Sequence, residues 1–171
     1  MTLPNNTESL RQFLMPKIKI ITETILDGIA SWNRREISRK VYDAGTPSLY
    51  ERTYNGSTDW EHDPEDGSFM SAWSGEVEQT ERNEMTADFE YDPTKLIAEQ
   101  IGVHTSALDD SDIREYLAEI IYEGLAGHIF GEGFWTQKRD AWNALLRIVG
   151  GQHMKIWIEQ GAKKAGLKIS W

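Results

Sequence analysis

Between residues 68 and 91 the chain alternates apolar and polar side chains with a period of two, the spacing of a half-buried strand. Phe69, Trp73 and Val77 share one face with Ser71 and Gly75, while Met70, Ala72, Ser74, Glu76 and Glu78 fall on the other. A second run sets Met85, Ala87, Phe89 and Tyr91 against Thr86, Asp88 and Glu90. The polar segment 80–83 lies between the runs, with Asn83 able to take a left-handed turn conformation. The pattern predicts an antiparallel hairpin with one apolar and one acidic face. Its apolar face needs a cover, and the long apolar stripes elsewhere have helical spacing, before residue 43 and after residue 111.

Residues 7–43 read as a long helix with a break expected near Pro16, because an interior proline removes a donor and clashes with the preceding turn. Leu14, Ile18, Ile21, Ile25, Ile29 and Trp32 form one stripe at spacings of three and four. Beyond Trp32 the stripe shifts, and Ile37 and Val41 resume it on a rotated face. Asp43-Ala44-Gly45-Thr46-Pro47 is a helix stop. Residues 49–56 read as a short strand closed by Asn55-Gly56. The acidic loop 57–67 is too polar to pack, and Trp60 stands in it without an obvious core.

Asp92-Pro93-Thr94 ends the second strand, and residues 95–100 read as a short helix. Asp112 has the position of an N-cap, with Glu115 three residues later, and Ile113, Tyr116, Leu117, Ile120 and Ile121 form the apolar face of a helix reaching Tyr122. Gly124, Gly127, Gly131 and Gly133 mark an irregular connection. From about 139 to 165 a further helix carries Trp142, Leu145, Leu146, Val149, Ile156 and Trp157 on one stripe, interrupted by Gly150-Gly151 at about 2 kcal/mol relative to two alanines. Residues 167–171 have the pattern of an added edge strand. The expected fold is a single α+β domain. It has a long N-terminal helix (7–43), an antiparallel sheet region (48–91) built around the central hairpin, and C-terminal helices (111–166) packed on one sheet face.

With 171 residues and no cysteine, the chain is long enough to bury a core without staples, and it has no thiolate metal site. Residues 1–14 lack the apolar run of a signal peptide, and no segment approaches the ~20 apolar residues of a membrane span. Eighteen basic against 28 acidic residues give a net charge of −10, which argues against wrapping by nucleic acid. The acids concentrate in 59–66 and 76–90, the bases in 17–40 and 155–168. Such polarity suits head-to-tail contact between copies as well as a solvated surface.

Candidate chemistry is thin. His62, His104, His128 and His153 stand at no metal-ligand spacing, so no metal or cofactor is expected. The acids of 59–66 lack the glycine and glutamate positions of a calcium loop. His104 with Asp109, Asp110 and Ser106 or Ser111 occupies one short polar loop, without the separation that a nucleophile and its base require. The glycines of 124–133 fit no phosphate-binding fingerprint. Nothing here points to an enzyme.

Taken in order, several segments suggest a family. Val41-Tyr42-Asp43-Ala44-Gly45-Thr46-Pro47 closes a helix, and Tyr50-Glu51-Arg52-Thr53-Tyr54-Asn55-Gly56 leads into the sheet. Phe69-Met70-Ser71-Ala72-Trp73 and Phe89-Glu90-Tyr91-Asp92-Pro93 mark two strands, and Ile120-Ile121-Tyr122-Glu123-Gly124 precedes a closing helix. Over residues 20 to 165 the series resembles minor structural proteins of the tailed-bacteriophage neck, the tail-completion and head-tail joining proteins. It departs from them in the acidic insertion 57–67 and the long stretch 94–112, which leaves open which neck ring is meant.

The resemblance implies a non-enzymatic virion subunit, made in the host bacterial cytoplasm. It would repeat as a homo-oligomeric ring of six or twelve copies between the head, portal or adaptor and the tail. In a ring of six, about −60 of charge would surround a central channel and let DNA slide without specific binding. Glu76, Glu78, Asp88 and Glu90 are the candidate channel-facing acids. Ile18, Ile21, Ile25, Trp32 and Trp60 are the candidate assembly contacts. The alternative is a non-virion acidic binding protein, an inhibitor that mimics nucleic acid; a metal-assisted hydrolase using His62 and its neighbouring acids ranks third.

Overall fold

The computed structural model describes residues 6–42, 69–96, 115, 117–124 and 139–171. They form helix α1 (Thr7–Ile37), strands β1 (Trp73–Glu81) and β2 (Glu84–Tyr91), and helices α2 (Ala141–Val149) and α3 (Gln152–Lys164), an α+β architecture with a long N-terminal helix as expected. The expected strand at 49–56, the loop 57–67 and most of 97–138 lie outside the described residues.

α1 starts where Asn6 accepts a hydrogen bond from the Ser9 amide at 2.8 Å through its side chain and from the Leu10 amide at 3.0 Å through its carbonyl. Glu8 in its first turn and Arg34 and Arg35 in its last complement the helix dipole. The helix runs through Pro16 without the expected break. Pro16 is exposed, so its ring faces solvent and the loss is confined to one helical bond. After Ile37 the winding widens into a π-helical turn, Ser38–Tyr42. Asn33, Glu36, Ile37 and Ser38 are buried, so the inward face does rotate past Trp32.

The chain divides into two contact units. The first holds residues 6–30, 75–89 and 147–171. Within it α1 and α3 meet through small residues: a methyl group on Gly161 would lie 2.7 Å from the Ile21 Cα, and one on Gly28 would lie 2.5 Å from the Trp157 indole. Thr24, Trp157 and Ala162 are buried. The expected stripe of large residues is not the face in contact, since Leu14, Ile21, Ile25 and Ile29 are half-buried and Ile18 is exposed. Two helices that approach backbone to backbone need glycine and threonine at the seam, and a count of large apolar residues does not register those positions. Leu146 and Ile156, expected on the inward stripe of the closing helix, are likewise exposed.

Gly150-Gly151 separates α2 from α3, so the single interrupted helix expected from 139 to 165 is two helices. The far end of α3 closes on Gly166 at φ +70°, with the Gly166 amide bonded to the Lys163 carbonyl at 3.1 Å and the Leu167 amide to the Ala162 carbonyl at 2.8 Å. This is a Schellman cap. The Lys17 ammonium donates to the Ala165 carbonyl at 2.5 Å and ties α1 to that cap. Residues 167–171 are not the expected edge strand. The cap turns the chain back over α3, where the Trp171 indole donates to Glu159 at 2.7 Å.

The second unit comprises the described residues of 31–74 and 90–146. Its core joins Ile37, Phe69, Met70, Ala72, Leu96, Leu117, Ile121, Tyr122 and Ala141. Trp73 is the hub of an aromatic cluster. It stacks on Trp142 with ring centroids 5.3 Å apart and meets Tyr91 at 5.5 Å, Tyr122 at 5.8 Å and Phe69 at 6.3 Å. Such pairs contribute about 0.5–1.5 kcal/mol each beyond their burial. The strand begins at Trp73, not at 68, and residues 69–72 are turn. In a turn both side-chain parities can point inward, so Met70 and Ala72, expected on the acidic face, are buried beside Phe69.

Five further contacts order this unit. The Asp92 amide donates to the Ala72 carbonyl at 2.7 Å and closes the mouth of the hairpin. Asp92 caps the 3-10 turn Pro93–Lys95, accepting from the Thr94 amide at 3.0 Å, and Leu96 is already extended, so the helix expected from residue 95 does not start there. Glu36 pairs with Arg39 at 3.3 Å and Lys40 at 3.4 Å, and Lys40 also donates to the Asp140 carbonyl at 2.7 Å, which joins the end of α1 to the start of α2.

Candidate functional site

The hairpin carries the highest concentration of like charge among the described residues. Its alternation largely follows the one read from the sequence, but Ala87, expected on the apolar face, is exposed, and Thr86, expected on the polar face, is half-buried. Trp73, Gly75, Val77, Met85, Phe89 and Tyr91 are half-buried, whereas Glu76, Glu78, Asp88 and Glu90 are exposed. Glu81 and Glu84 flank the tip and are exposed as well. Gly75 sits at a close approach in the hairpin: a methyl group there would lie 2.5 Å from a Leu26 methyl and 2.6 Å from the Asp88 carbonyl oxygen.

Asn83 does not adopt the left-handed conformation expected of it, since no described residue other than glycine has positive φ. The tip is held by side chains instead. The Arg82 carbonyl accepts from the Arg11 guanidinium at 3.2 Å and from the Gln79 amide at 3.3 Å, and the Arg82 guanidinium binds Glu8. Glu8 also takes Arg11 at 2.7 Å. These two guanidinium groups lower the Glu8 carboxyl to about 2, the hydrogen bond from Arg11 contributing most. The single base on the hairpin is therefore engaged with α1. Among the described residues none of the six hairpin acids takes part in an ion pair. Thr80 and Thr86 hydroxyls are 2.9 Å apart between the acids.

At the hairpin mouth, burial pushes the Tyr91 hydroxyl well above its ordinary range, with the neighbouring Asp92 charge adding to the effect. Asp92 itself is lowered by its hydrogen bonds from Thr94.

The candidate assembly contacts are dispersed. Ile21 is half-buried, its backbone meeting Gly161 of its own chain, Ile18 is exposed, and Ile25 is half-buried. Trp32 lies in the second unit, half-buried, with the Arg35 guanidinium 5.3 Å over its ring. Trp60 lies outside the described residues, as do His62, His104, His128 and the acids of 59–66. His153 is half-buried beside Trp157, ring centroids 6.2 Å apart. Among the described residues no three His, Asp or Glu side chains converge as a metal ion would require, and no helix is long and apolar enough to cross a membrane.

Sequence reading missed the exposed Ile169 and Trp171 that follow α3 as a surface, because it assigned them to a paired strand. It also missed Asn33, a fully buried carboxamide with no hydrogen-bond partner among the described residues. A polar residue at the point where the apolar stripe of α1 breaks was the available signal.

No family model matches the chain, and no curated protein or solved structure shows significant similarity to it.

Proposed function

We propose that this chain is a non-enzymatic structural subunit of a tailed-phage neck, repeated as a ring between head and tail, whose acidic hairpin faces the path of the DNA. The observation that carries the reading is the hairpin itself. Six exposed carboxylates stand on two short strands, and the only base among them is drawn aside by Glu8. The segment resemblance supplies the setting. A surface of this kind repels phosphate over about a Debye length, roughly 8 Å at physiological salt, and so lines a passage without gripping what moves through it. Partners of the ring are the portal or adaptor on one side and tail proteins on the other.

The test is the number of copies of this chain per purified phage particle, measured by quantitative mass spectrometry against the portal subunit. Six or twelve supports a neck ring, and hundreds assigns the chain to a tube or shell. Absence from particles overturns the reading in favour of an acidic inhibitor that mimics nucleic acid. Glu76→Lys with Glu78→Lys is expected to slow DNA ejection or block completion, and unchanged infectivity would remove the channel role.

A further inference from the structure

Residues 167–171 read Leu-Lys-Ile-Ser-Trp, apolar at every second position, the pattern of a strand with one buried face. In the folded chain Leu167 is half-buried at the cap, while the rest of that face stays in water: Ile169 is 39% and Trp171 66% exposed. What holds the segment is slight, the Schellman cap at its start, the Trp171 bond to Glu159, and the Lys155 ammonium 5.5 Å over the Trp171 ring. The hairpin has the complementary want. β1 and β2 form a two-stranded sheet, so among the described residues each strand has an edge with no strand beside it. Two strands alone are marginal in water, and an open edge is a template for a third.

The chemistry of the two matches face by face. Laid along either edge, the segment would continue the apolar face of Val77, Met85 and Phe89 with Ile169 and Trp171. Lys168 would then stand on the face of Glu76, Glu78, Asp88 and Glu90. The wider charges agree: residues 147–171 hold five bases and one acid, and residues 76–90 hold six acids and one base. Residues 75–89 of the hairpin and residues 167–171 belong to the same contact unit and are not paired with each other in it.

We propose that residues 167–171 of one copy of this chain add as a third strand to the hairpin edge of a second copy. The contact is heterologous, tail to edge, and closes into a ring when its rotation permits. Its biological use rests on the ring reading above, while the contact itself is tested separately.

The chain has no cysteine, so paired single-cysteine variants report without background. Lys168→Cys protein is mixed with Glu78→Cys or with Asp88→Cys protein under mild oxidation, and disulfide-linked dimers are read on non-reducing gels and by mass spectrometry. One of the two mixtures is expected to link at least tenfold more than a Lys155→Cys control, the productive pair identifying the edge. Ile169→Pro in the Lys168→Cys chain should abolish the link, because proline cannot donate to the ladder. Its circular dichroism and melting temperature should stay at the parent values, since Ile169 is exposed. Linking no stronger than the control, or linking that survives Ile169→Pro, overturns the proposal. Six or twelve copies per particle without the link retains the neck ring and rejects strand addition; the link in a chain absent from particles does the reverse.

Discussion

Replacing Gly161 by alanine sets two effects of similar size against each other, and the structure decides which wins. In an isolated helix the change is favourable by about 1 kcal/mol, because glycine gives up more backbone freedom than alanine. Here the new methyl would lie 2.7 Å from the Ile21 Cα and 3.2 Å from both the Ile21 carbonyl oxygen and the Thr24 Cβ. Carbon atoms pack at roughly 3.5–4.0 Å, so α1 and α3 must separate by about 1 Å. The nearest atom is helix backbone, which cannot rotate out of the way. Separation would loosen the packing of Trp157 and Ala162 and the Lys17 bond to the Ala165 carbonyl. Overpacking of this kind costs about 1–3 kcal/mol, which leaves a net loss of about 1 kcal/mol after the propensity gain. Gly161→Val should lose about 2 kcal/mol or more, since it adds volume and gives up helix propensity relative to alanine. Gln160→Ala, at the exposed neighbouring position, is the control and should change stability by less than about 0.5 kcal/mol. Urea unfolding followed by far-ultraviolet circular dichroism gives the midpoint and slope of each variant. For a chain of this length the alanine variant should melt about 2–4 °C lower. A Gly161→Ala protein stabilised by about the full propensity gain would refute the close contact of α1 with α3.

Three further outcomes follow from the same structure. Trp73→Ala should cost about 3 kcal/mol and collapse the near-ultraviolet dichroism of the aromatic cluster, because four rings lose their common neighbour; a loss below about 1 kcal/mol would mean that the cluster does not hold its unit together. Asn33→Leu removes a buried carboxamide that has no partner among the described residues, so urea unfolding should show stability unchanged or raised by about 1 kcal/mol, and a comparable loss would reveal a partner for the amide. Glu8 titrates at about 2, below its unfolded-state value, so its contact with Arg11 and Arg82 contributes fully above the ordinary carboxyl range and is lost as the pH falls through about 2. The carboxyl carbon shift of Glu8 followed by nuclear magnetic resonance should show this midpoint at low salt and an upward drift as salt screens the pair.

Much of the local structure was legible in the amino-acid order because its causes are local. The period of two put Trp73, Val77, Met85 and Phe89 on one side of a hairpin and Glu76, Glu78, Asp88 and Glu90 on the other. Asp92 before Pro93 ended the strand through its own side chain, and Gly150-Gly151 broke a helix wherever its neighbours packed. Other features depended on partners distant along the chain. That Met70 and Phe69 are both buried follows from a turn closed by the Asp92 amide on the Ala72 carbonyl. The inward face of α1 is set by Gly161 and Trp157 on α3, which select small residues at Thr24 and Gly28 over the larger stripe beside them. Pro16 survives inside α1 because its ring happens to face water. The unpaired state of 167–171 is decided the same way: its alternation is local, but a strand exists only where another chain segment offers an edge, and the cap at Gly166 turns this one back over α3. Periodicity thus determined which side chains share a face, and tertiary packing alone decided which of those faces met a partner, since burial is a property of two surfaces and the sequence of one element describes only its own.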